Sequence, residues 1–184
     1  MANKNDLLTI EDGVVTACDK QAEEIVIPDG VTKIGEGAFE SCYYLTSVKI
    51  PGTVREICDR AFMFCEALQS VVIPEGVTRI GDKAFCSCPE IASLTIAESV
   101  RTIGYRAFEG CLALSSVTIP EGVEEIGAGA FGGCTSLKAA IIFGSVKAIG
   151  DGAFAGCESL ESVSLLGNPK MGADVFKDCG SLKR

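Results

Sequence analysis

The chain has 184 residues, carries a formal net charge of −9 and contains no histidine. A chain of this charge is repelled by nucleic acid and by an anionic membrane, so general binding to either is disfavoured. The lack of histidine excludes Ser-His-Asp and Cys-His catalysis within this chain, together with every metal site that needs a histidine ligand.

The first six residues, Met1–Asp6, lack the basic-then-apolar pattern of a signal peptide. Either the protein is cytoplasmic, or a leader was removed and a methionine added; the sequence leaves both open. No apolar run approaches the roughly 18 residues that a membrane span requires, so we expect no insertion into a membrane.

Residues 1–24 are predicted to form a hairpin. Leu7–Ile10 and Val14–Thr16 have the composition of two short strands, and Asp12-Gly13 between them is typical of a tight turn. Terminal units of solenoids cover the open end of the core. We therefore expect this hairpin to cap the N-terminal end.

From residue 25 onward the sequence repeats with a period of 23 residues. A phenylalanine recurs once per period, and a cysteine follows it three residues later, at Phe39/Cys42, Phe62/Cys65, Phe85/Cys88, Phe108/Cys111, Phe131/Cys134 and Phe154/Cys157. A seventh pair, Phe176 and Cys179, arrives one residue early. Such a period predicts a solenoid. Seven repeats are expected, the last of 22 residues and degenerate, at 25–47, 48–70, 71–93, 94–116, 117–139, 140–162 and 163–184.

Repeat five illustrates the elements expected in each repeat. Val117 and Ile119 alternate as in a short strand with both side chains inward, and Pro120 ends that strand. Val123 and Ile126 form a second inward pair. The segment around Phe131 is predicted to form a short helical turn that inserts the ring into the core.

Seven of the ten cysteines occupy one position of the repeat, which argues against a disulfide framework. Side chains stacked in parallel, one per repeat, suit small buried hydrophobes better than strain-free disulfides. We expect free buried thiols. Cys58 and Cys86 lie outside this column without the second close pair that a zinc site needs, and Cys86 is expected to be exposed.

The pattern V-x-I-P-x-x-V-x-x-I-G-x-x-A-F-x-x-C-x-x-L resembles the BspA-like, or Treponema-type, leucine-rich repeat family over residues 25–184. The resemblance implies an α/β repeat solenoid, curved and right-handed, with a parallel sheet on the concave face and short helical turns elsewhere. It also implies adhesion or contact with host proteins at a cell surface, or after secretion.

The first candidate site is apolar. Most repeats have small or polar residues beside the cysteine, but repeats one to four carry Tyr43, Tyr44, Met63, Phe64, Cys86 and Leu112. Together these predict an exposed patch, and such patches are commonly interfaces. The alternative is that some of these side chains fold inward over the edge of the core.

The second candidate site is basic. Arg60, Lys83 and Arg106 share one position in three successive repeats where repeats one, five and six have glycine. With the nearby Arg55, Arg79 and Arg101 they predict a local positive field that would steer an acidic partner. The alternative is a solvated surface with ion pairs to Asp59, Asp82 and Glu56.

A third group lies on the sheet face, where Ile141, Phe143 and Leu166 form a second apolar spot near the C-terminal end. It is as compatible with contact to a further repeat as with a ligand site. The acidic residues beside this face, one per repeat, make a poor calcium cage, so no metal site is expected.

These observations favour a non-enzymatic protein-binding or adhesion module without cofactors, which binds a protein partner through repeats one to four. The predicted contact residues are Tyr43, Tyr44, Met63, Phe64, Arg60, Lys83, Arg106 and Leu112. The alternative is a structural or self-assembling unit that forms homo-oligomers through the apolar patch or through an uncapped C-terminal end.

Overall fold

The structure, a computed structural model, describes residues 7–182. It begins with an antiparallel hairpin of β1 (Leu8–Glu11) and β2 (Val14–Cys18). The turn places Asp12 and Gly13 at φ 49° and 76°, as a two-residue turn with both central residues left-handed requires. Strand β2 then pairs in parallel with β4 (Lys33–Ile34), so the hairpin is the first member of the sheet that runs through the repeats.

Each repeat contributes one short strand to a continuous nine-stranded sheet. Its order is β1-β2-β4-β6-β8-β10-β12-β14-β16. The strands taken from the repeats are two residues long and parallel, with the same register at each step: β4 (Lys33–Ile34), β6 (Glu56–Ile57), β8 (Arg79–Ile80), β10 (Thr102–Ile103), β12 (Glu125–Ile126), β14 (Ala148–Ile149) and β16 (Lys170–Met171). The sequence did not predict these strands, because two residues are too few for an alternation of apolar and polar side chains.

The V-x-I segments also form parallel strands, as predicted for Val117 and Ile119. They do not form one sheet, however, but three separate ones, β3-β5, β7-β9 and β11-β13-β15. Their bounds are β3 (Glu24–Val26), β5 (Ser47–Lys49), β7 (Ser70–Ile73), β9 (Ser93–Ile96), β11 (Ser116–Ile119), β13 (Ala139–Ile142) and β15 (Ser162–Leu165).

The segment around each phenylalanine is not helical, so the prediction of short helical turns is wrong. In repeat five, the N–H groups of Gly129 and Phe131 donate to carbonyls of the next repeat at 2.9 and 2.7 Å. The N–H of the intervening Ala130 donates within the repeat, three residues back, at 3.2 Å. Because alternate N–H groups leave the segment, and because φ is +64° at Gly129, consecutive helical bonds are not formed. The fold is a parallel β-solenoid.

The core is a stack of equivalent side chains. One phenylalanine ring of each repeat lies face to face with that of the next, and the centroids are 4.5 to 5.7 Å apart. These are Phe39, Phe62, Phe85, Phe108, Phe131, Phe154 and Phe176. The cysteines are free, as expected: Cys42 to Cys157 of the column are buried, and Cys179 is partly buried. In six of the seven the thiol also donates to the phenylalanine carbonyl of the preceding repeat, for example from Cys65 Sγ to Phe39 O at 3.2 Å.

Neighbouring repeats approach each other closely at the residue after each two-residue strand, which is glycine in six of the seven repeats. A Cβ on Gly150 would lie 2.4 Å from the backbone nitrogen of Ala128, and one on Gly127 would lie 2.6 Å from the carbonyl carbon of Gly104. Real Cβ atoms do not come so close, so the spacing at Gly127 and Gly150 depends on the lack of a Cβ there. Repeat two has Cys58 at this position, buried against the preceding repeat.

A candidate protein-binding surface

The three basic residues form one column because each occupies the same place in the hydrogen-bond ladder. The N–H groups of Arg60, Lys83 and Arg106 donate to the carbonyls of Asp82, Tyr105 and Ala128, at 2.8, 2.7 and 2.9 Å. Each bond joins one repeat to the next. The side chains therefore leave the backbone at equivalent points, roughly 5 Å apart.

The backbone at these three positions is left-handed. The φ values are 56° at Arg60, 55° at Lys83 and 52° at Arg106, close to the 60°, 64° and 58° of Gly37, Gly129 and Gly152 in repeats one, five and six. For a residue with a Cβ this conformation is unfavourable by roughly 1 kcal/mol or more relative to the right-handed one. Repeats two to four thus carry basic side chains where the backbone favours glycine.

The structure exposes most of the predicted apolar residues. Tyr43, Tyr44 and Leu112 are 48%, 56% and 46% exposed, and Phe64 is 37% exposed at a φ of 61°. Met63 is half-buried. The N–H of Ser41, two residues before Tyr43, donates to the carbonyl of Met63, so the tyrosines of repeat one lie next to the apolar pair of repeat two.

The expectation that Cys86 is exposed is wrong. Its side chain is buried, with Sγ 3.6 Å from the Ser87 hydroxyl and 3.7 Å from the Glu109 carboxylate. Burial raises the pKa of the Cys86 thiol, which makes it less nucleophilic. Of the two possibilities for the residues of the apolar patch, exposure or folding inward over the edge of the core, Cys86 adopts the second.

The apolar residues form a cluster and a separate outlier rather than one strip across four repeats. Between Tyr43 and Leu112, the equivalent positions of repeats two and three hold Glu66 and the half-buried Pro89. Tyr43, Tyr44, Met63 and Phe64 thus form one group, while Leu112 lies three repeats from Tyr43.

The structure adds Tyr105, which the sequence analysis missed. Its ring is 41% exposed, and the guanidinium carbon of Arg106 lies 4.9 Å from the ring centroid. Arg106 Nε is also 3.5 Å from the Glu109 carboxylate, so the guanidinium is held from two sides. Tyr105 is the one aromatic residue in a column of acidic and small residues, a signal that was available in the sequence: Glu36, Asp59, Asp82, Ala128, Asp151 and Ala173.

The other predicted cations are engaged with their own surroundings. Arg79 binds Glu56 at 3.0 Å and Asp59 at 2.8 Å, and Lys33 binds Glu56 at 2.9 Å. The hydrogen bond from Lys33, assisted by Arg79, lowers the pKa of the Glu56 carboxyl. Arg79 therefore fits the ion-pair alternative.

Arg55 and Arg101 donate to backbone carbonyls of their own repeats, each at 2.7 Å from a residue three positions earlier. Within residues 7–182, neither Arg60 nor Lys83 takes part in an ion pair, and Arg106 has only the contact to Glu109. Of the six predicted cations, Arg60 and Lys83 are thus the two whose side chains make neither an ion pair nor a hydrogen bond to a carbonyl within the described residues.

A shallow groove of about 460 Å³ lies between repeat four and repeats five and six. It is lined by Tyr105 and Arg106 of repeat four and by Gly129, Gly152 and Ala155 of repeats five and six. The groove is open, in keeping with the absence of a deep pocket that a short solenoid implies.

The second apolar spot is partly exposed. Ile141 and Leu166 are exposed, and Phe143 is half-buried. Leu165, the last residue of strand β15, is also exposed. Over residues 7–182, no group of three or more acidic or cysteine side chains is arranged to hold a metal ion. In the same part of the chain, no helix has the length and apolar character to cross a membrane.

Comparison with known proteins identifies the family. The model of the BspA type leucine rich repeat region matches six copies, over residues 8–102 and 55–183. No curated protein matches the sequence. Among solved structures, a leucine rich repeat protein of T. pallidum is 32% identical, with a TM-score of 0.88 over 92% of this chain and 82% of that one.

Two further structures share the fold at 24% identity. One is a leucine-rich repeat protein from Eubacterium ventriosum, with a TM-score of 0.86, covering 94% of this chain and 47% of that chain. The other is a leucine rich cell surface protein from Faecalibacterium prausnitzii, with a TM-score of 0.50, covering 79% and 60%. The chain thus spans about half the length of the E. ventriosum protein. From the match of the family model and the likeness to the T. pallidum protein, the chain belongs to the BspA-type leucine-rich repeat family.

Proposed function

We propose that this protein is a non-enzymatic binding module that holds a protein partner through the exposed side chains of repeats one to four. Tyr43, Tyr44, Met63 and Phe64 are the apolar anchors in this proposal. Arg60, Lys83 and Arg106 supply the positive charge, and Tyr105 and Leu112 extend the contact into repeat four.

The observation that carries the proposal is the left-handed column of basic residues. Repeats one, five and six have glycine at this position, so the solenoid itself does not need a side chain there. Three consecutive repeats instead present long cations at an unfavourable φ. Backbone strain of this kind accumulates at functional sites, where the side chain serves a purpose other than folding.

The composition of the surface supports a protein as the partner. Tyrosine, phenylalanine, methionine and arginine are the residues enriched in protein interfaces. The basic column lies on a chain of net charge −9, so an acidic partner would be steered towards this column rather than towards the rest of the surface. Adhesion at a cell surface is the part of the proposal that depends on family resemblance.

The test uses the full chain as bait, with cross-linking and identification of the captured proteins by mass spectrometry. A captured protein is then measured against wild type, the pair Tyr44→Ala with Phe64→Ala, and the triple variant Arg60→Gly, Lys83→Gly, Arg106→Gly. The glycine variant reproduces the backbone of repeats five and six, so it removes charge without unfolding the repeat. The control is Thr135→Ala with Ser136→Ala, which changes the positions of repeat five that correspond to Tyr43 and Tyr44.

The proposal requires that both surface variants weaken binding while the control does not. Equal binding by wild type and both variants, with unchanged stability, contradicts it.

A second candidate is self-association, favoured by the exposed Ile141, Leu165 and Leu166 of repeats six and seven. Multi-angle light scattering over a wide concentration range measures the molar mass and so distinguishes self-association from binding of a different protein. A dimer that dissociates on Leu166→Ser, but not on Phe64→Ala, would favour this second candidate.

A further inference from the structure

The cysteine column has an eighth thiol at its N-terminal end. Cys18, at the end of β2, lies 24 residues before Cys42, whereas the column cysteines from Cys42 to Cys157 follow one another at 23 residues. Both Cys18 and Cys42 are buried, and Cys18 keeps 7% of its surface exposed. The hairpin and repeat one thus each contribute one thiol to the same junction.

Cys42 differs from every other cysteine of the column. The other six donate their thiols to the phenylalanine carbonyl of the preceding repeat, at 3.1 to 3.5 Å. Cys42 has no preceding repeat, and among residues 7–182 its sulfur has no such acceptor. The hydrogen bond from thiol to carbonyl that the other six cysteines make is therefore missing at Cys42.

A cation takes the place of that acceptor. Lys20 Nζ lies 3.8 Å from Cys42 Sγ and is anchored by a hydrogen bond to the carbonyl of Glu40. An ammonium group at this distance favours the thiolate over the thiol.

The pKa values of the two thiols shift in opposite directions. Cys18 Sγ donates to the carbonyl of Asp19 at 3.4 Å. The neighbouring Cys18 thiol, assisted by Lys20, lowers the pKa of Cys42, although burial and Asp19 oppose the change. The neighbouring Cys42 sulfur and burial raise the pKa of Cys18. One thiol of the pair is therefore the better nucleophile, and its neighbour retains its proton.

We propose that Cys18 and Cys42 form an oxidation site that closes to a disulfide with hydrogen peroxide, joining the hairpin to repeat one. The thiolate sulfur attacks one peroxide oxygen, the O–O bond breaks and hydroxide leaves, which gives a sulfenic acid. The second thiol then attacks that sulfur, the S–S bond forms and water leaves. Two thiols are oxidised and one peroxide is reduced to two water molecules, since the hydroxide takes up the proton that the first thiol released.

Peroxide suits this site because it is small. Cys42 is covered by the hairpin, and the exposed edge of Cys18 is the point at which the pair meets solvent. The rest of the column provides an internal comparison. Cys65 and Cys88 are also neighbours in the column, 23 residues apart, but they keep their bonds to carbonyls, and no lysine amine of residues 7–182 is hydrogen-bonded to either sulfur.

The experiment treats the reduced full chain with hydrogen peroxide, blocks remaining thiols with N-ethylmaleimide at intervals, and maps disulfides by mass spectrometry without reduction. We expect the Cys18–Cys42 disulfide to form first and the Cys65–Cys88 pair to stay reduced. Lys20→Gln should slow the reaction several-fold and move the midpoint of its pH profile upward, and Lys20→Arg should restore both. Lys33→Gln, which removes a lysine bound to Glu56, is the matched control and should change neither.

Two results would overturn the proposal. One is the absence of the Cys18–Cys42 disulfide under conditions that oxidise the half-exposed Cys179. The other is an oxidation rate and pH profile that Lys20→Gln leaves unchanged while its thermal unfolding matches wild type.

Discussion

Repeats two to four and repeats five and six share one core and differ in what they carry on it. In both regions the phenylalanine rings stack at about 5 Å and are fully buried, as between Phe85 and Phe108 at 5.2 Å and between Phe131 and Phe154 at 5.2 Å. On the outside, the first region has Arg60, Lys83 and Arg106 where the second has Gly129 and Gly152. The difference shows that in this solenoid the fold and the surface are specified by separate positions of the same repeat.

The largest expected effect tests whether the cores are equivalent. Phe85→Ala in repeat three and Phe131→Ala in repeat five each remove a fully buried ring, so each should lower the free energy of unfolding by about 3–5 kcal/mol. Urea unfolding followed by circular dichroism measures both. A difference between the two variants that exceeds the error of the measurement would mean that the regions differ inside as well as outside.

The next prediction concerns the surface of the first region. Tyr44→Ala together with Phe64→Ala should weaken binding of a captured partner by about 2 kcal/mol or more, because a central aromatic anchor contributes that much. Titration by biolayer interferometry measures the change. The control is Thr135→Ala with Ser136→Ala, close to the corresponding part of repeat five, and it should leave binding unchanged.

The thiol column should respond to alkaline pH in the same way in both regions. Burial raises the pKa of Cys157 to about 12 from 9.0, and the pKa of Cys65 is also raised, first by the neighbouring Cys88 side chain and then by burial. Unfolded thiols release protons near pH 9 and these folded ones do not, so their stabilising contribution is complete below pH 9 and is lost as pH rises towards 12.

Cys65→Ala and Cys157→Ala should each make the fall of the unfolding free energy with rising pH less steep, by at most about 1.4 kcal/mol per pH unit. Unfolding free energies at pH 8, 9 and 10 give the slope. A slope that either variant leaves at the wild-type value would show that the thiol ionises in the folded state.

The smallest expected effect concerns the basic column and tests whether its side chains contribute to partner binding or to stability of the fold. Arg60→Gly, Lys83→Gly and Arg106→Gly should each raise stability slightly, by about 0.5 kcal/mol, since relief of the left-handed strain exceeds the added entropy of glycine in the unfolded chain. The same changes should slow association with an acidic partner and reduce its dependence on salt. Loss of stability on all three changes would instead show that these side chains support the fold.

The period of 23 residues predicted the solenoid, the phenylalanine side chains inside its core and the free cysteine column. These follow from repetition, because equivalent residues in equivalent backbones must lie above one another. What the period does not encode is how each backbone is hydrogen-bonded. The helical turn expected at Ala130-Phe131 is replaced by alternate bonds to the next repeat, since the neighbouring backbone offers carbonyls that an isolated segment lacks.

The surface was predicted less completely than the core. Tyr43, Tyr44 and Phe64 are exposed as expected, but Cys86 lies over Glu109 of the next repeat, a contact that depends on the rotamers of two repeats. Tyr105 was missed because it stands outside the segment beside the cysteine where departures were sought. A comparison of every outward column, rather than of that segment alone, would have found it.

The division of the V-x-I strands into three sheets has a mechanical consequence. The ladder bonds run along the long axis of the solenoid, so tension applied to its two ends loads the layers between repeats in series. The V-x-I strands are not paired between β5 and β7 or between β9 and β11. At these two places, neighbouring repeats are joined by the nine-stranded sheet and by the phenylalanine segment, but not by a pair of V-x-I strands. Under pulling in an optical trap the molecule should part first at these two joints. The first joint lies between repeats two and three and the second between repeats four and five, so pulling would divide the candidate surface itself and would also separate repeats three and four from repeat five.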